Sequence, residues 1–308
     1  MKSFISIVVF YFMVLLATAV FAQEPEKKVV ITGVRFAYPL VEKWIEDYKV
    51  ANPGANVSIE SRNVTDPAKY DLLIEAYEPD KAIKETREYL YLARYALLPV
   101  ANAKSAFAKA YSEKGLTTEL IKQVYFNDIY ADKKEQKKIA AEYTIYTRLQ
   151  KAGAPITFSK YFGYEQDNIQ GKAIAGADEH LVKALLKDTT GVSYNVPGLL
   201  FNLQTRKPLD GLTIIPVDVD GNGRVTSEEI FYDNLDTVLE KLEAAELKNV
   251  PVEYLHLSLS KNNTNDEALK FLQWVAKNSQ ESLSQFGFLK PEPKRFQQDK
   301  AKFDVTLN

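Results

Sequence analysis

The segment 29-VVITGVRFAYPLVEKWIEDYKVANPGANVSIE-60 decides the fold class, because it contains a strand, a helix and a second strand in succession. Residues 29–32 are all β-branched, which is typical of a strand. Apolar residues at helical spacing follow at 40–51, and residues 56–60 again have the character of a strand. The segment therefore predicts a β-α-β unit.

Strand-like and helical segments continue to alternate along the rest of the chain. Strands are predicted at residues 71–76 and 95–100, with a helix around 81–89 between them. Farther along, a predicted helix at 171–187 precedes a short strand at 191–194. This alternation predicts an α/β protein with a parallel sheet.

The first 22 residues have the parts of a secretory signal peptide. A positive charge at Lys2 precedes a nearly continuous apolar run at residues 4–20, and small residues at the end of the run match the positions that a signal peptidase reads. A transmembrane anchor is the alternative, but the run is short and polar residues follow it. We therefore expect a mature chain that begins near Gln23, is soluble, and is periplasmic or otherwise secreted.

The composition argues against several functional classes. The chain has 39 Lys and Arg against 41 Asp and Glu, and this near balance gives no reason to expect a nucleic-acid partner. The basic run at residues 133–138 is interpreted as a solvated surface. Cysteine is absent, and the two histidines, His180 and His256, stand in no metal-ligand spacing. We therefore do not expect an enzyme.

The sharpest chemical motif is the twelve-residue run 218-DVDGNGRVTSEE-229, which matches the calcium loop of an EF-hand position by position. The predicted ligands are Asp218, Asp220, Asn222, the main-chain carbonyl of Arg224, and Glu229. Such loops surround a hard cation with about six to eight oxygens. An ordinary Asn-Gly turn is the alternative, but a turn alone would not require Glu229. The cofactor predicted from this loop is Ca²⁺.

The sequence around this loop departs from a regular EF-hand. A β-branched run at residues 212–216 stands where the entering helix would be, whereas residues 227–246 have apolar positions at helical spacing. A single loop with only the leaving helix is typical of a structural calcium site rather than a calcium sensor.

Four segments carry a resemblance to a known family. They are residues 32–48, 93–102, 176–194 and 268–289. These segments resemble the periplasmic phosphate-binding proteins, which are PBP-like substrate-binding components of ABC transporters. The resemblance implies a two-lobed type II fold with two crossover strands and a ligand cleft between the lobes. It places lobe 1 at residues 23–98 and 192–308, with the calcium loop 218–229 in it, and lobe 2 at residues 99–191.

The resemblance also implies where a ligand would bind. Anions in this family are held by main-chain amides at helix N-termini, by hydroxyls and by an arginine. By correspondence with the family pattern, the ligand-binding residues are Arg35, Phe36, Ser61, Arg62, Tyr77, Arg148 and Gly153. Tyr77 takes the place of an acidic group that accepts the proton of phosphate, and Glu75 and Glu78 stand beside it. The hydroxyls of the family's second-lobe turn are replaced by alanines at 152 and 154.

These residues also have readings without a ligand. For each of the three arginines, the alternative role is a surface or inter-lobe salt bridge. For Phe36 and Tyr77, the alternative is packing in the core.

The expected function is capture of a small, phosphate-like anion by hinge closure, followed by delivery to an ABC permease in the inner membrane. We expect the protein to act as a monomer. A calcium-stabilised envelope interaction or assembly module with the same fold and no transported oxyanion is the alternative. A hydrolase that uses calcium is a third reading, but loops of this kind saturate the ion and leave no nucleophile or base beside it.

Overall fold

The computed structural model describes residues 27–60, 64, 66–127, 139 and 141–305. The predicted signal peptide, the basic run at 133–138, Ser61 and Arg62 lie outside these residues. Within them the strands are β1 (Val29–Gly33), β2 (Val57–Ile59), β3 (Leu72–Glu75), β4 (Arg87–Ala96), β5 (Leu98–Asn102), β6 (Thr144–Arg148), β7 (Lys172–Ile174), β8 (Gly191–Asn195), β9 (Leu212–Ile214) and β10 (Val252–Ser260). The α-helices are α1 (Tyr38–Ala51), α2 (Lys81–Lys84), α3 (Ala106–Tyr111), α4 (Thr118–Tyr125), α5 (Gly153–Tyr161), α6 (Glu179–Lys187), α7 (Pro197–Leu200), α8 (Leu235–Ala244), α9 (Asp266–Asn278) and α10 (Pro293–Val305).

The strands form two mixed five-stranded sheets, one in each lobe. The first has the order β2-β1-β3-β10-β4, and the second has the order β7-β6-β8-β5-β9. In the first sheet, β1 is parallel to β2 and β3, whereas β10 is antiparallel to β3 and β4. In the second sheet, β6 is parallel to β7 and β8, whereas β5 is antiparallel to β8 and β9. The predicted α/β class is thus correct, with antiparallel strands added to each parallel core.

Helix α1 illustrates how the sequence pattern builds the first lobe. Pro39 lies in its first turn, where its missing amide hydrogen costs nothing. Residues three and four positions apart, among them Leu40 and Trp44, form its buried face. The indole Nε1 of Trp44 donates a 2.9 Å hydrogen bond to Ser282 Oγ, so the polar end of this buried side chain is satisfied. The hydrogen bond connects α1 to the 3₁₀ turn at Gln280–Ser282.

The chain passes between the lobes twice. β4 runs into β5 through Leu97, and the return path enters β10 at Val252. Leu97 N donates a 2.9 Å hydrogen bond to Pro251 O, so the two crossovers run side by side. Two adjacent crossovers of this kind are the structural basis of hinge closure.

The predicted lobe boundary at residue 192 is wrong. β8 and β9 both hydrogen-bond to β5, so residues 191–214 belong to the second sheet. The 218–229 loop belongs there as well, because Asp218 N donates a 3.1 Å hydrogen bond to Leu116 O. The chain returns to the first lobe only at residues 249–252, and the predicted calcium loop lies in the second lobe rather than in the lobe that holds the C-terminal helix.

Three predicted helices are shorter than expected. The helix around 81–89 ends at Lys84, because the following residues pair with β10 as β4. The helix at 171–187 is preceded by β7, which pairs with β6, and starts at Glu179. The helix leaving the acidic loop is a 3₁₀ turn at Ser227–Glu229 followed by α8. In the first two places, strand pairing overrides local helical spacing. Among the described residues, no helix is both long and apolar enough to cross a membrane.

Candidate functional site

A cleft of about 450 Å³ separates the two lobes. It lies at the carboxyl ends of β1, β3 and β6, which is where ligands bind in open α/β sheets. The first lobe contributes residues 33–36, 73–75 and 77 to its lining, and the second contributes residues 148, 150–153 and 176–178. Loops from both lobes therefore surround the cleft.

Helix N-termini from both lobes face this cleft. On the first lobe, a 3₁₀ turn at Arg35–Ala37 leads into α1, and the amides of Arg35 and Phe36 have no hydrogen-bond partner among the described residues. On the second lobe, α5 begins at Gly153 with Ala152 as an N-cap that provides no side-chain hydrogen bond. The first amides of a helix lack intrahelical acceptors and carry partial positive charge. Both walls of the cleft are thus suited to an anion.

The lobes touch beside the cleft at Gly153. A Cβ at this position would lie 2.7 Å from Ala76 Cβ and 2.9 Å from Ala76 O, so only glycine fits without a shift. The Tyr95 hydroxyl joins the same contact, because it donates to Ala76 O and lies 2.9 Å from Thr157 Oγ1 in α5. The lobes are therefore in contact along one edge of the cleft.

Arg148 and Asp178 form a nearly buried ion pair in the second-lobe wall. Arg148 Nη1 lies 2.9 Å from Asp178 Oδ2, and the two side chains are only 13% and 5% exposed. Burial raises the pKa of Asp178, although the guanidinium of Arg148 opposes the shift. Arg148 Nε and Asp178 Oδ1 are buried without a partner among the described residues. The wall of the cleft therefore contains one hydrogen-bond donor and one acceptor that have no partner among the described residues.

Glu75 lines the opposite wall, at the end of β3. Its Oε2 accepts a 2.9 Å hydrogen bond from Ser258 Oγ and lies 3.5 Å from His256 Nε2. Tyr77, two residues later, is 36% exposed. Burial, followed by the charge of Glu75, raises the pKa of Tyr77, so its phenol is a neutral hydrogen-bond donor.

The structure brings most of the predicted ligand-binding residues to the cleft. Its lining includes Arg35, Phe36, Tyr77, Arg148 and Gly153. The ring of Phe36 is in the core, 5.1 Å from the ring of Tyr95, so only its main chain is available to a ligand.

The sequence analysis did not predict Asp178 as a site residue, and it named Glu75 only as a neighbour of Tyr77. The position of Asp178 at the start of α6 was the available signal, because acidic residues at helix starts are often capping or site residues.

The acidic loop at residues 218–229 forms a second candidate site. Ligand oxygens of Asp218, Asp220 and Glu229 lie within 4.8 Å of one another. The Asp218 carboxylate accepts hydrogen bonds of 2.9 and 2.8 Å from the amides of Asn222 and Gly223. Gly223 has a φ of +88°, which permits the sharp turn. No Lys or Arg in the described part of the chain forms an ion pair with these carboxylates.

The donor set of this loop fits a hard divalent cation. Burial is the main cause that raises the pKa of Asp218, and the nearby charge of Glu229 adds to the shift. Two buried carboxylates without a basic partner are costly, and a cation would offset that cost. Asn222 and the carbonyl of Arg224 belong to the same loop and would supply neutral oxygens. The residues present are therefore compatible with Ca²⁺.

These features define a two-lobed α/β protein with a cleft between its lobes that contains several charged side chains. No family model matches the chain, and no curated protein sequence matches it. The fold is similar to that of a protein from Clostridium perfringens that is named as a phosphate ABC transporter substrate-binding protein and was solved with bound phosphate. The two structures superpose with a TM-score of 0.61 at 14% sequence identity, and the match covers 86% of this chain and 100% of that chain.

Two further structures are similar. One is an ABC-type phosphate transport receptor from Vibrio cholerae, with TM-score 0.58 and 13% identity over 86% of this chain and 100% of that chain. The other is described as a possible phosphate-binding protein from Planctomyces limnophilus, with a TM-score of 0.53 and 11% identity over 92% of this chain and 99% of that chain. This chain therefore has the fold of phosphate ABC transporter substrate-binding proteins, as the sequence resemblance predicted.

Proposed function

We propose that this protein is an extracytoplasmic solute-binding protein that captures a small, phosphate-like anion between its lobes. The observation that carries the proposal is the convergence of Arg148 and two uncapped helix starts on one cleft. Arg148 supplies a permanent positive charge, and the amides of Arg35, Phe36 and Gly153 supply oriented donors. Binding at both walls would stabilise the closed arrangement of the lobes.

Asp178 gives the proposed site a means of selection. Its Oδ1 is buried and has no hydrogen-bond partner among the described residues, so it could accept a hydrogen bond from a protonated ligand oxygen that reached it. Phosphate carries such a proton near neutral pH, whereas sulfate does not, and a fully ionised anion would have no hydrogen to donate to this oxygen. Arg148 holds Asp178 in place and contacts the same space.

Delivery to an ABC importer follows from the proposed binding role. The predicted signal peptide supports a location outside the cytoplasm. We expect the mature chain to act as a monomer that presents the closed lobes to an inner-membrane permease. Binding without catalysis is the expected activity, because the chain has no cysteine and only two histidines.

We also propose that the 218–229 loop binds a structural Ca²⁺. The support is the full twelve-residue motif together with the three carboxylates gathered within 4.8 Å. Asp218, Asp220, Asn222, the carbonyl of Arg224 and Glu229 would hold the ion.

The alternative function, a calcium-stabilised envelope interaction or assembly module, is favoured by two observations. Arg148 already has an internal partner in Asp178, and the second-lobe turn offers alanines where hydroxyls would bind an oxyanion.

Calorimetric titration of the mature protein with phosphate, with sulfate as the control, tests the anion proposal. We expect phosphate binding that weakens in Arg148→Ala and is unchanged in Arg94→Ala, since Arg94 lies outside the cleft lining. Binding that is equal in wild type and Arg148→Ala would remove Arg148 from the site. Absence of binding to any small anion would favour the interaction module.

A further inference from the structure

We propose that the natural ligand carries a positively charged amine in addition to its anionic group. Arg148 and the helix-start amides of both walls would hold the anionic end, and Glu75 on the first-lobe wall would hold the ammonium end. This inference rests on the proposed function, and it names the class of solute: a small organic zwitterion rather than a free inorganic anion.

The size of the cleft is the first argument. Its volume is about 450 Å³, whereas pockets for organic ligands of drug size begin at about 300 Å³. The lobes already touch at Gly153 and Ala76, where an added Cβ would lie 2.7 Å from its neighbour, so the two walls have little room to approach at that edge. A four-oxygen anion at Arg148 would leave much of the space next to Glu75 unfilled.

The charge of Glu75 is the second argument. Among the described residues, no Lys or Arg forms an ion pair with it; its carboxylate accepts a 2.9 Å hydrogen bond from the Ser258 hydroxyl and lies 3.5 Å from Nε2 of the His256 ring. The side chain is only 12% exposed, so solvent screens its charge poorly. A carboxylate of this kind in a closed anion site repels a ligand that is only anionic.

The carboxylate of Asp178, on the opposite wall of the cleft, does not repel an anion in the same way. Asp178 is paired with Arg148 at 2.9 Å, which compensates its charge. The two acidic groups therefore differ: Asp178 is paired with an arginine, whereas Glu75 has no Lys or Arg paired with it among the described residues and has only the His256 ring nearby, at 3.5 Å. A ligand ammonium placed at Glu75 would supply the missing positive charge through a charge-assisted hydrogen bond.

Tyr77 adds a second feature suited to an ammonium group. It follows Glu75 by two residues, lines the same cleft and remains 36% exposed. A carboxylate beside an accessible aromatic ring is a common arrangement for binding amines, because the ring face attracts cations. The first-lobe wall thus combines amides for an anion with a separate position for a cation.

A matched ligand pair tests the inference. O-Phosphoethanolamine and monoethyl phosphate share the phosphate monoester and differ in the ammonium group. We expect phosphoethanolamine to bind at least about tenfold more tightly in calorimetric titrations, since a buried charge-assisted contact adds that much or more. In Glu75→Gln this preference should vanish, whereas in Glu46→Gln, on the exposed face of α1, it should remain.

The outcomes separate this inference from the proposed function. Equal binding of the two esters by the wild-type protein, or binding of inorganic phosphate alone, would overturn the zwitterion proposal and leave anion capture standing. No binding of phosphoethanolamine, monoethyl phosphate or inorganic phosphate would overturn both. The wild-type comparison needs no variant, so it holds even if Glu75→Gln fails to fold.

Discussion

Asn249 Nδ2 donates a 2.7 Å hydrogen bond to the main-chain oxygen of Asp218. The Asn249 side chain also accepts a hydrogen bond from the Thr118 hydroxyl through Oδ1. Two residues later, Pro251 O accepts a hydrogen bond from Leu97 N in the outgoing crossover. One buried amide therefore connects the first position of the acidic loop to the segment through which the chain returns to the first lobe.

Replacing Asn249 with Ala should destabilise the protein and weaken its response to calcium. The substitution leaves the Asp218 carbonyl and the Thr118 hydroxyl without their shared partner, at a cost of about 1–3 kcal/mol. Urea unfolding with and without calcium measures both effects. A variant with wild-type stability and an unchanged calcium response would show that this link is unimportant.

Calcium should raise the melting temperature of the mature protein, because a ligand that binds only the folded state stabilises it. At a calcium concentration of about 100 times Kd, the gain is about 2.7 kcal/mol. Glu229→Gln should lower this gain, since it removes a buried carboxylate from the ligand cluster. The matched control is Glu228→Gln, an exposed neighbour in the same loop. If Glu229→Gln and Glu228→Gln respond to calcium alike, the loop is not the binding site.

Gly153→Ala should weaken ligand binding by preventing the lobes from meeting. The added methyl group would lie 2.7 Å from Ala76 Cβ, and overpacking of this kind costs about 1–3 kcal/mol, or at least about a fivefold loss of affinity. Gly163→Ala, after the same helix, is the control. Its Cβ has no neighbour within 4 Å, but its φ of +86° strains alanine, so it should reduce stability without reducing affinity. Calorimetry with phosphate and thermal unfolding separate the two effects, and unchanged affinity in Gly153→Ala would argue against closure at this contact.

The stability of the first lobe should depend on the ionisation of Glu78. Burial opposes that ionisation, but hydrogen bonds from Lys84, Arg295 and Tyr91 outweigh it and hold the pKa of Glu78 below its ordinary value of 4.5. A carboxyl group whose pKa is lowered by folding stabilises the protein above its unfolded-state pKa, and this stabilisation is lost as the pH falls through the folded-state pKa.

The difference in unfolding free energy between wild type and Glu78→Gln should therefore be largest near neutral pH and shrink as the pH falls below about 4.5. Urea titrations across this range measure it. Glu46→Gln, on the exposed face of α1, is the matched control. A difference that stays constant with pH would mean that the contacts of Glu78 do not depend on its charge.

The sequence by itself determined the features that depend on neighbours along the chain. Alternating strand and helix patterns predicted β1, α1, β2 and β3, because side-chain periodicity is a local property. The 218–229 motif likewise predicted a gathering of carboxylates, since all of its members lie within twelve residues and the glycines permit the turn.

Only the tertiary structure decided which distant segments meet. Asp178 pairs with Arg148 across 30 positions, and Glu75 meets Ser258 across 183. The lobe boundary was misplaced for the same reason, because β8 and β9 join the second sheet through hydrogen bonds to β5 that no local pattern encodes. Which charges in the cleft are paired is a consequence of packing between distant segments.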